Sequence, residues 1–223
     1  MKQTQPSAGP RLPLSRERVL RAAVALADER GIDSLTMRAL GEELGVEAMS
    51  LYHYVANKDE LLDGMVDLVY GEIELPSDEA DWKTAIRRVQ ISAREALSRH
   101  RWAITLMETR TRPGPANLRH HDSVIGRLRA AGFSIKQAIH AFSILDSYVY
   151  GFALQELTMP FDTSEELAEA AESILAQFPA DEYPHLAETI TEHVTKSGYD
   201  YANEFQVGLD LILDAIVRLR GTA

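Results

Sequence analysis

The sequence predicts an all-α protein in which three short N-terminal helices precede a larger helical domain. Apolar residues recur at the three- and four-residue spacing of an amphipathic helix along almost the whole chain, and strand-like alternation is nearly absent. Glycine and proline separate the periodic stretches, notably at Gly31, Gly45, Pro76 and Gly132. With 223 residues, the chain is long enough for one large or two modest domains with a substantial core.

The N-terminal part divides into four predicted helices with recognisable start or stop signals. Ser15 is a suitable N-cap for the first helix, and Gly31 is a suitable stop. Gly45 opens a tight turn between the second and third helices, and Asn57 is a suitable cap for the fourth. These helices are predicted to cover about 15–30, 36–44, 47–54 and 57–75.

Beyond residue 81 the predicted helices lengthen, apart from a short one at about 102–108. The longer ones cover about 82–100, the residues after the TRPGP break (111–115) as far as 131, 134–157 and 200–220. The stretch 134–157 is apolar almost all round, and one side is formed by Ile135, Ile139, Phe142, Leu145, Val149 and Phe152. A helix without a polar face needs neighbours on both sides. Because the last helix has the same character, the two are predicted to form a subunit interface. The acidic stretch 162–192 is predicted to be a solvated peripheral helix or a mobile excursion.

Composition excludes several classes of protein. The chain has no cysteine, so it forms neither a disulfide nor a cysteine-ligated metal site. It has no apolar run of about 18 residues, so no membrane partner is predicted. Residues 1–14 read as a flexible tail and not as a signal peptide, which makes the cytoplasm the expected location.

Charge is distributed unevenly along the chain. The net charge is -11, yet residues 1–58 hold eight lysines and arginines against seven acidic residues, a net charge of +1, which leaves -12 for the remainder. A nearly neutral first part on an acidic body is compatible with DNA binding by the first part and repulsion of the body from phosphates. It does not establish DNA binding by itself.

Residues 36–54 match the helix-turn-helix pattern, in which two short helices are joined by a tight turn. Gly41 is small where the two helices cross, and Gly45 can adopt the left-handed conformation of the turn. Val46 and Leu51 are predicted to point inward. The side chains left on the exposed side are Ala48, Met49, Ser50, Tyr52, His53 and Tyr54. Residues 15–60 are therefore predicted to form a three-helix DNA-binding domain.

The segment GIDSLTMRALGEELGVEAMSLYHYVANKDELLDGM resembles the N-terminal domain of the tetracycline-repressor (TetR) family of bacterial transcription regulators. The resemblance covers residues 15–66 strongly and continues more weakly through 100–113, 132–154 and 205–220. It implies that residues 61–223 form a helical effector-binding and dimerisation domain. It also implies that the protein is a homodimeric repressor that binds a palindromic double-stranded DNA operator and is released by a small-molecule effector.

Carried over position by position, the resemblance implies which residues contact DNA. Thr36, Tyr52 and Lys58 fall where the family contacts phosphates. The positions where the family reads bases or packs against the groove are Arg38, Ala48, Met49, Ser50, His53 and Tyr54. Ala48 departs from the tetracycline repressor, which has a base-reading glutamine there, so the operator is expected to differ. Arg38 then becomes the best candidate for a bidentate guanine contact.

The resemblance also implies an effector cavity, without the metal site of the tetracycline repressor. The positions that match its ligands are Glu74, Glu108, Ser147 and Gln155, so neither a metal nor a cofactor is predicted, and tetracycline is not expected to be the effector. The predicted lining suits an apolar or aromatic effector with a few polar anchors. It consists of Trp102, Leu106, Met107, Phe133, Phe142, Leu145, Tyr148 and Phe152, with anchors from Glu108, Arg110, Asp146 or Gln155.

Three other classes of protein are alternatives to a ligand-released repressor. An enzyme has little support, because the chain lacks a cysteine nucleophile, a glycine-rich phosphate loop and the HExxH and GxSxG motifs. A helical adaptor for proteins would explain the two apolar helices but not residues 36–58, and an activator or co-repressor-dependent regulator stays open.

The run His120-His121-Asp122 is predicted to be an exposed helix face and not a metal site, because adjacent side chains on a helix diverge.

Overall fold

The computed structural model describes residues 13–78, 81–161, 163–196 and 199–221. Within these residues the chain forms eleven α-helices and no strand, which confirms the all-α prediction. The predicted flexible tail lies outside the described residues as far as residue 12. No described helix is long and apolar enough to cross a membrane.

The helices, in chain order, are α1 (Arg16–Arg30), α2 (Met37–Leu44), α3 (Ala48–Leu51), α4 (Lys58–Glu72), α5 (Trp82–Arg99), α6 (Ala103–Thr109), α7 (Pro115–Ala130), α8 (Ile135–Thr158), α9 (Ser164–Leu175), α10 (Pro184–Thr189) and α11 (Ala202–Gly221). They belong to two compact units. Of the described residues, the first unit contains those up to 71 together with 99–118, and the second contains those within 72–98 and 119–221. The sequence places a boundary near residue 60, whereas in the structure α4 and the segment 99–118 form one unit with α1–α3.

The helices α1–α3, hereafter the head, are set by local signals that the sequence carries. The Ser15 hydroxyl accepts a hydrogen bond from the Arg18 amide at 3.2 Å, as predicted for an N-cap. One face of α1 is fully buried and packs against α2. Thr36 caps α2 in the same way, since its Oγ1 accepts from the Ala39 amide at 3.0 Å.

The turn between α2 and α3 depends on two glycines, as predicted. Gly45 has φ 67° and ψ 35°, a left-handed conformation that a side chain disfavours. A Cβ on Gly41 would lie 2.8 Å from the backbone oxygen of Val46 and 3.1 Å from the backbone nitrogen of Ala48. Both neighbours are backbone atoms, so they cannot move aside without opening the turn.

We expect Gly41→Ala to destabilise the head by about 1 to 3 kcal/mol, because overpacking against backbone must shift α3. The measurement is thermal unfolding followed by circular dichroism. Gly71→Ala is the matched control, since a Cβ there meets only the Ala116 Cβ at 3.9 Å, an ordinary contact in a helix. A Gly41→Ala protein as stable as the Gly71→Ala protein would contradict the close approach.

The third helix is shorter than predicted. It ends at Leu51, and Tyr52, His53 and Tyr54 form a turn instead of continuing to residue 54. The backbone changes to i→i−3 hydrogen bonds there, with the Tyr54 amide 2.9 Å from the Leu51 oxygen. Leu51 and Val55 are both fully buried, and the tight turn places these two anchors on one side.

The cap of α4 is as predicted, but its end is not. The Asn57 Oδ1 accepts from the Glu60 amide at 2.8 Å, and the Glu60 carboxylate accepts from the Ala56 amide at 2.7 Å. The helix ends at Glu72 and not near Pro76. Beyond it the Glu74 amide donates to the Ser92 hydroxyl at 3.0 Å, which removes this segment from the helical pattern.

In the second unit, α5, α8 and α11 are joined by packing and by long-range ion pairs. Arg87 Nε donates to Asp210 at 2.7 Å, which lowers the pKa of that carboxyl, and Lys83 pairs with Asp214. Arg94 forms a bidentate pair with Glu156, at 2.8 and 2.5 Å. Side chains far apart in sequence thus tie both α8 and α11 to α5.

The packed side of α8 differs from the prediction. Its buried residues are Ala138, Ala141, Leu145, Val149, Phe152 and Ala153. Ile135 and Ile139, predicted on the same side as Leu145, are 59% and 47% exposed. The small alanines allow close approach of neighbouring helices, so the larger isoleucines lie elsewhere. The Ser134 capping box is present.

The sequence left open whether the acidic stretch 162–192 forms a helix or a mobile excursion. Within the acidic stretch, the described residues form α9, α10 and a π-helical turn at Ile190–Val194.

The prediction of an exposed face at 120–122 is wrong for His120, which is only 5% exposed. Burial, with the nearby His121, lowers the pKa of His120 to about 4, so its imidazole is neutral at pH 7.

Candidate nucleic-acid interface and effector site

The exposed side of α2, α3 and the following turn carries most of the predicted DNA contacts. Met49 is 72% exposed and Tyr52 is 42% exposed, which is unusual for such large side chains. His53 is also exposed, whereas Ala48, Ser50 and Tyr54 are half-buried. The structure therefore places Met49, Tyr52 and His53 where a partner can contact them directly, and leaves Tyr54 with part of its ring in the head.

Thr36 and Lys58 lie at the starts of α2 and α4, where free backbone amides favour anions. The Thr36 oxygen accepts from Ala39, so its hydroxyl proton is available for a phosphate oxygen. Lys58 is exposed and has no ion-pair partner among residues 13–78, 81–161, 163–196 and 199–221. Both groups have the chemistry that the resemblance implies for phosphate contacts.

Arg38 is exposed and already has a partner in the head. Its side chain is 86% exposed, and Nε donates to the Glu42 carboxylate at 3.0 Å, one turn along α2. A surface pair of this kind is worth about 0.3 to 0.5 kcal/mol. A guanine edge, worth about 1 to 3 kcal/mol when contacted by both donors, would outcompete it.

A row of carboxylates on α4 holds the segment 110–117, and this feature was not identified from the sequence. Asp59, Asp63 and Asp67 follow one another at four-residue spacing along one side of α4. Arg110 Nε donates to Asp63 at 2.6 Å and Nη2 donates to Asp59 at 3.1 Å. Hydrogen bonding to Asp63 is the main reason that the pKa of Arg110 is raised.

Asp67 completes this attachment at the start of α7. Its Oδ1 accepts from the backbone amides of Ala116 and Asn117, at 2.9 and 3.0 Å, and so caps the helix. A Cβ on Gly114 would lie 2.2 Å from the Asp67 Cγ, so the loop needs glycine there. The four-residue spacing of the three aspartates was the signal available in the sequence.

The predicted effector residues between 102 and 110 belong to the first unit. Trp102 is 7% exposed, and its indole nitrogen donates to Asp28 at 2.6 Å. Leu106 and Met107 are half-buried, and Glu108 is exposed. Arg110 is engaged by Asp59 and Asp63 of α4 and holds the loop that follows α6.

The predicted effector residues between 133 and 155 belong to the second unit, where they form three separate groups. Phe133 is buried, and its ring meets Trp82 edge-on at 5.1 Å. Phe142 lies against the His121 ring at 5.0 Å. The third group surrounds Phe205 and contains Tyr148 and Phe152. Leu145 is buried and Asp146 is half-buried on the same helix.

The polar atoms of the third group are satisfied within the unit. Tyr148 donates to the backbone oxygen of Phe205 at 3.0 Å, and Gln155 accepts from the Tyr201 hydroxyl at 2.8 Å. The Arg94 guanidinium lies 5.4 and 5.1 Å from the ring centroids of Phe152 and Phe205. The sequence offered no sign of this cation, because Arg94 is 62 residues from Glu156.

The chemistry of the family's metal site does not fit this chain. No group of three or more histidine, aspartate or glutamate side chains in the described part of the structure could hold a metal ion. Glu74 and Glu108, at positions where the tetracycline repressor has ligands, are exposed.

Comparison with known proteins identifies the family. Residues 19–65 match the model of bacterial regulatory proteins of the tetR family. Residues 75–219, more than half of the chain, match the model of the tetracyclin repressor-like C-terminal domain. The chain belongs to the TetR family.

Individual relatives of this TetR-family chain include repressors and ligand complexes. The transcriptional repressor DrrR1 of Streptomyces coeruleorubidus is 34% identical over 224 residues, which cover 95% of this chain and 80% of DrrR1. ActR of Streptomyces coelicolor in complex with actinorhodin has a TM-score of 0.77 and 27% identity, over 94% of this chain and 100% of ActR. A variant TetR of Acinetobacter baumannii in complex with minocycline has a TM-score of 0.74 and 29% identity, over 95% and 97% of the chains.

Membership of the TetR family confirms the resemblance and selects between the alternatives. The chain is a helix-turn-helix transcription regulator and not an enzyme, since regulators of this family bind DNA and carry out no chemistry. It is likewise not an adaptor that binds only proteins. The N-terminal match coincides with the head and the start of α4, where the exposed Met49, Tyr52 and Lys58 lie.

Proposed function

We propose that this TetR-family protein is a repressor that binds a palindromic operator as a homodimer and is released by a small apolar or aromatic effector. The observation that carries the proposal is the exposed surface of the head. Met49, Tyr52 and Lys58 present an apolar, a hydroxyl and a cationic group to solvent on adjoining elements. Groups of these types contact bases and phosphates in the major groove.

Dimerisation is supported by the outward sides of α8 and α11. On α8, Ile144 and Leu154 are each 45% exposed, and between them lie Ser147 and Gly151, which are small and uncharged. On α11, Val207 and Leu211 are 58% and 66% exposed. Apolar and small residues on two long helices suit packing against the same helices of a second copy.

A palindromic operator follows from the proposed dimer. Two copies related by a two-fold axis present two identical heads, so the DNA that satisfies both has two-fold symmetry. The half-sites should be about one turn of DNA apart, roughly 34 Å, or modestly more. Because DNA is reached inside the cell, we also place the protein in the cytoplasm.

The effector class is proposed from the predicted lining and from two relatives. The aromatic side chains Phe142, Tyr148 and Phe152 suit a ring-containing molecule. Relatives of the same fold have been solved with actinorhodin and with minocycline. We propose a comparable small-molecule effector here, without a metal.

Release would be transmitted through α4. The attachment of Arg110 and of the α7 start to Asp59, Asp63 and Asp67 ties α4 to the segment 110–117. An effector that moves this segment would therefore move α4 and change the spacing of the two heads. Coupling of this kind is typically about 1 to 3 kcal/mol, and it is reciprocal, so operator should weaken effector binding by the same factor.

The test is fluorescence anisotropy of the protein with tiled fragments from upstream of its own gene, at two salt concentrations. The proposal expects tight, salt-sensitive binding to one palindromic fragment and loss of binding with an effector from a panel of aromatic compounds. Equal binding to every fragment, with and without compounds, would sink it. Binding that appears only with a compound would instead identify a co-repressor-dependent regulator.

Loss of the phosphate contacts should weaken binding to all sequences. We expect Tyr52→Phe to lower the affinity roughly fivefold, the value of one lost hydrogen bond of about 1 kcal/mol. Lys58→Ala should reduce the slope of log K against log salt by about 1 per protomer. Tyr183→Phe and Lys136→Ala, both exposed outside the head, are the matched controls. Unchanged affinity and slope in the two head variants would refute the phosphate assignment.

A further inference from the structure

Asp28 lies near the end of α1 and receives donors from two buried aromatic side chains. Its carboxylate oxygens are 2.8 and 3.0 Å from the His100 Nδ1, and Oδ1 accepts from the Trp102 indole nitrogen at 2.6 Å. Beside a carboxylate, the His100 Nδ1 carries the proton and donates it. The side chains of His100 and Asp28 are 8% and 29% exposed, and Trp102 is 7% exposed.

This contact is directional and not a general packing contact. Hydrogen bonds to an ionised carboxylate are short, strong and sensitive to angle. Two donors that approach from different residues fix Asp28 in two directions, whereas apolar surfaces tolerate sliding. Neighbouring acidic residues offer a contrast, because Glu29 pairs with Arg30, and neither Glu29 nor Asp33 has a hydrogen bond or ion pair to the segment 99–118 among the described residues.

Because Asp28 lies on α1, its contact can affect the positions of α2 and α3. Two residues later α1 ends at Arg30, and Gly31 leads through a 3₁₀ turn into Thr36 and α2. The buried face of α1 packs on α2, which in turn contacts α3. A displacement at Asp28 should therefore also move α2 and α3.

We propose that Asp28 is a positioning residue for DNA binding, which holds the head to the His100–Trp102 turn and so sets the direction in which α3 is presented. The inference rests on the proposed function and adds to it an anchor on α1. The attachment described above holds α4 through Arg110, whereas Asp28 holds α1. The segment 99–118 is thus attached both to the head, at α1, and to α4, and both attachments lie outside the predicted DNA-contacting residues.

The first experiment measures the position of the head without DNA. The chain has no cysteine, so a single Glu43→Cys substitution on the exposed side of α2 carries one spin label per protomer. Double electron–electron resonance then gives the distance between the two heads of the dimer. Asp28→Ala is expected to broaden or shift this distance distribution, and Asp33→Ala, which removes the same charge from the same head, is expected to leave it unchanged.

The second experiment measures operator affinity on a series of fragments with altered half-site spacing. Asp28→Ala is expected to lose roughly tenfold on the best spacing, about 1.4 kcal/mol, and to discriminate less between spacings. Trp102→Phe, which removes one N–H and keeps a ring, should change the spacing preference in the same direction and less strongly. It also keeps the test available if Asp28→Ala does not fold.

The outcomes separate the two proposals. Wild-type binding with an unchanged distance distribution and spacing preference in Asp28→Ala and Trp102→Phe would overturn the positioning role alone. A uniform loss on all spacings, with unchanged distances and a lower melting temperature, would also overturn it, because that pattern marks a purely structural residue. If the wild-type protein binds no DNA fragment specifically, or if the spin-labelled protein gives no dipolar signal between two heads, the proposed function is overturned. This inference then fails with it.

Discussion

Gly151→Leu is expected to abolish the dimer and to weaken operator binding by at least about 100-fold, since two linked heads gain about 10² to 10⁴ in avidity over one. Gly151 lies on the outward side of α8 beside Ser147, and a Cβ there meets nothing within 4 Å in the single chain. Leucine therefore fits the monomer, and as a better helix former it should stabilise α8 by about 0.5 to 1 kcal/mol. In a dimer it would occupy the space of the second copy. Light scattering after gel filtration measures the mass, and anisotropy measures the affinity.

Gly126→Leu is the matched control for this substitution. Gly126 lies within α7, is exposed, and likewise has nothing within 4 Å of an added Cβ. It should leave both mass and affinity unchanged. A Gly151→Leu protein that remains dimeric would show that the outward side of α8 is not the interface.

The protein is expected to lose stability in mild acid because of His120. The unfolded residue takes up a proton near pH 6.5, whereas the folded residue does so only near pH 4, since burial disfavours its charged form. Between these values the unfolded state binds more protons, so the free energy of unfolding falls as the pH falls, by up to about 1.4 kcal/mol per pH unit. The loss should total about 3 kcal/mol by pH 4.

Urea unfolding at several pH values checks this expectation. His120→Gln removes the titrating group and should flatten the dependence between pH 6.5 and 4, whatever its effect on stability at pH 7. His185→Gln is the control, because that side chain is 97% exposed. If His120→Gln and wild type lose stability in parallel over this range, other groups cause the acid sensitivity.

Helix starts could be predicted because capping is local. The side chains of Ser15, Asn57 and Ser134 bond amides three residues away, so the short pattern contains the whole interaction. The end of α3 could not be predicted in the same way. It depends on the burial of Leu51 and Val55 together, which local periodicity does not describe.

The sides of α8 could not be predicted from its apolar pattern. When a helix is apolar all round, hydropathy cannot tell the core side from the outward side. The structure buries Ala138 and Ala141 and exposes Ile135 and Ile139, so the first turns of α8 pack through their small residues. The same lack of contrast led to the prediction that both long helices form an interface, but it could not say which side of each helix would face a second copy.

Long-range polar contacts account for most of what the sequence missed in the candidate site. Arg110 was predicted to meet an effector, and the structure joins it to Asp63, 47 residues away. Asp28 reaches His100 across 72 residues. Neither pair has a spacing signature, so only the fold brings the partners together. The exposure of Met49, Tyr52 and His53 was easier to predict, because these residues lie within one contiguous motif.

We expect Glu42 to affect how quickly the regulator searches DNA for its operator. Over sequence without a suitable guanine, pairing with the Glu42 carboxylate partly offsets the charge of Arg38, so Arg38 should add less to the phosphate attraction that slows sliding. At a guanine edge, a bidentate contact would outweigh the surface pair, and Arg38 would change partner by rotation of its side chain. The head would thus carry its own counter-ion, to be exchanged for a base at the operator, and its residence time at other sequences should be shorter.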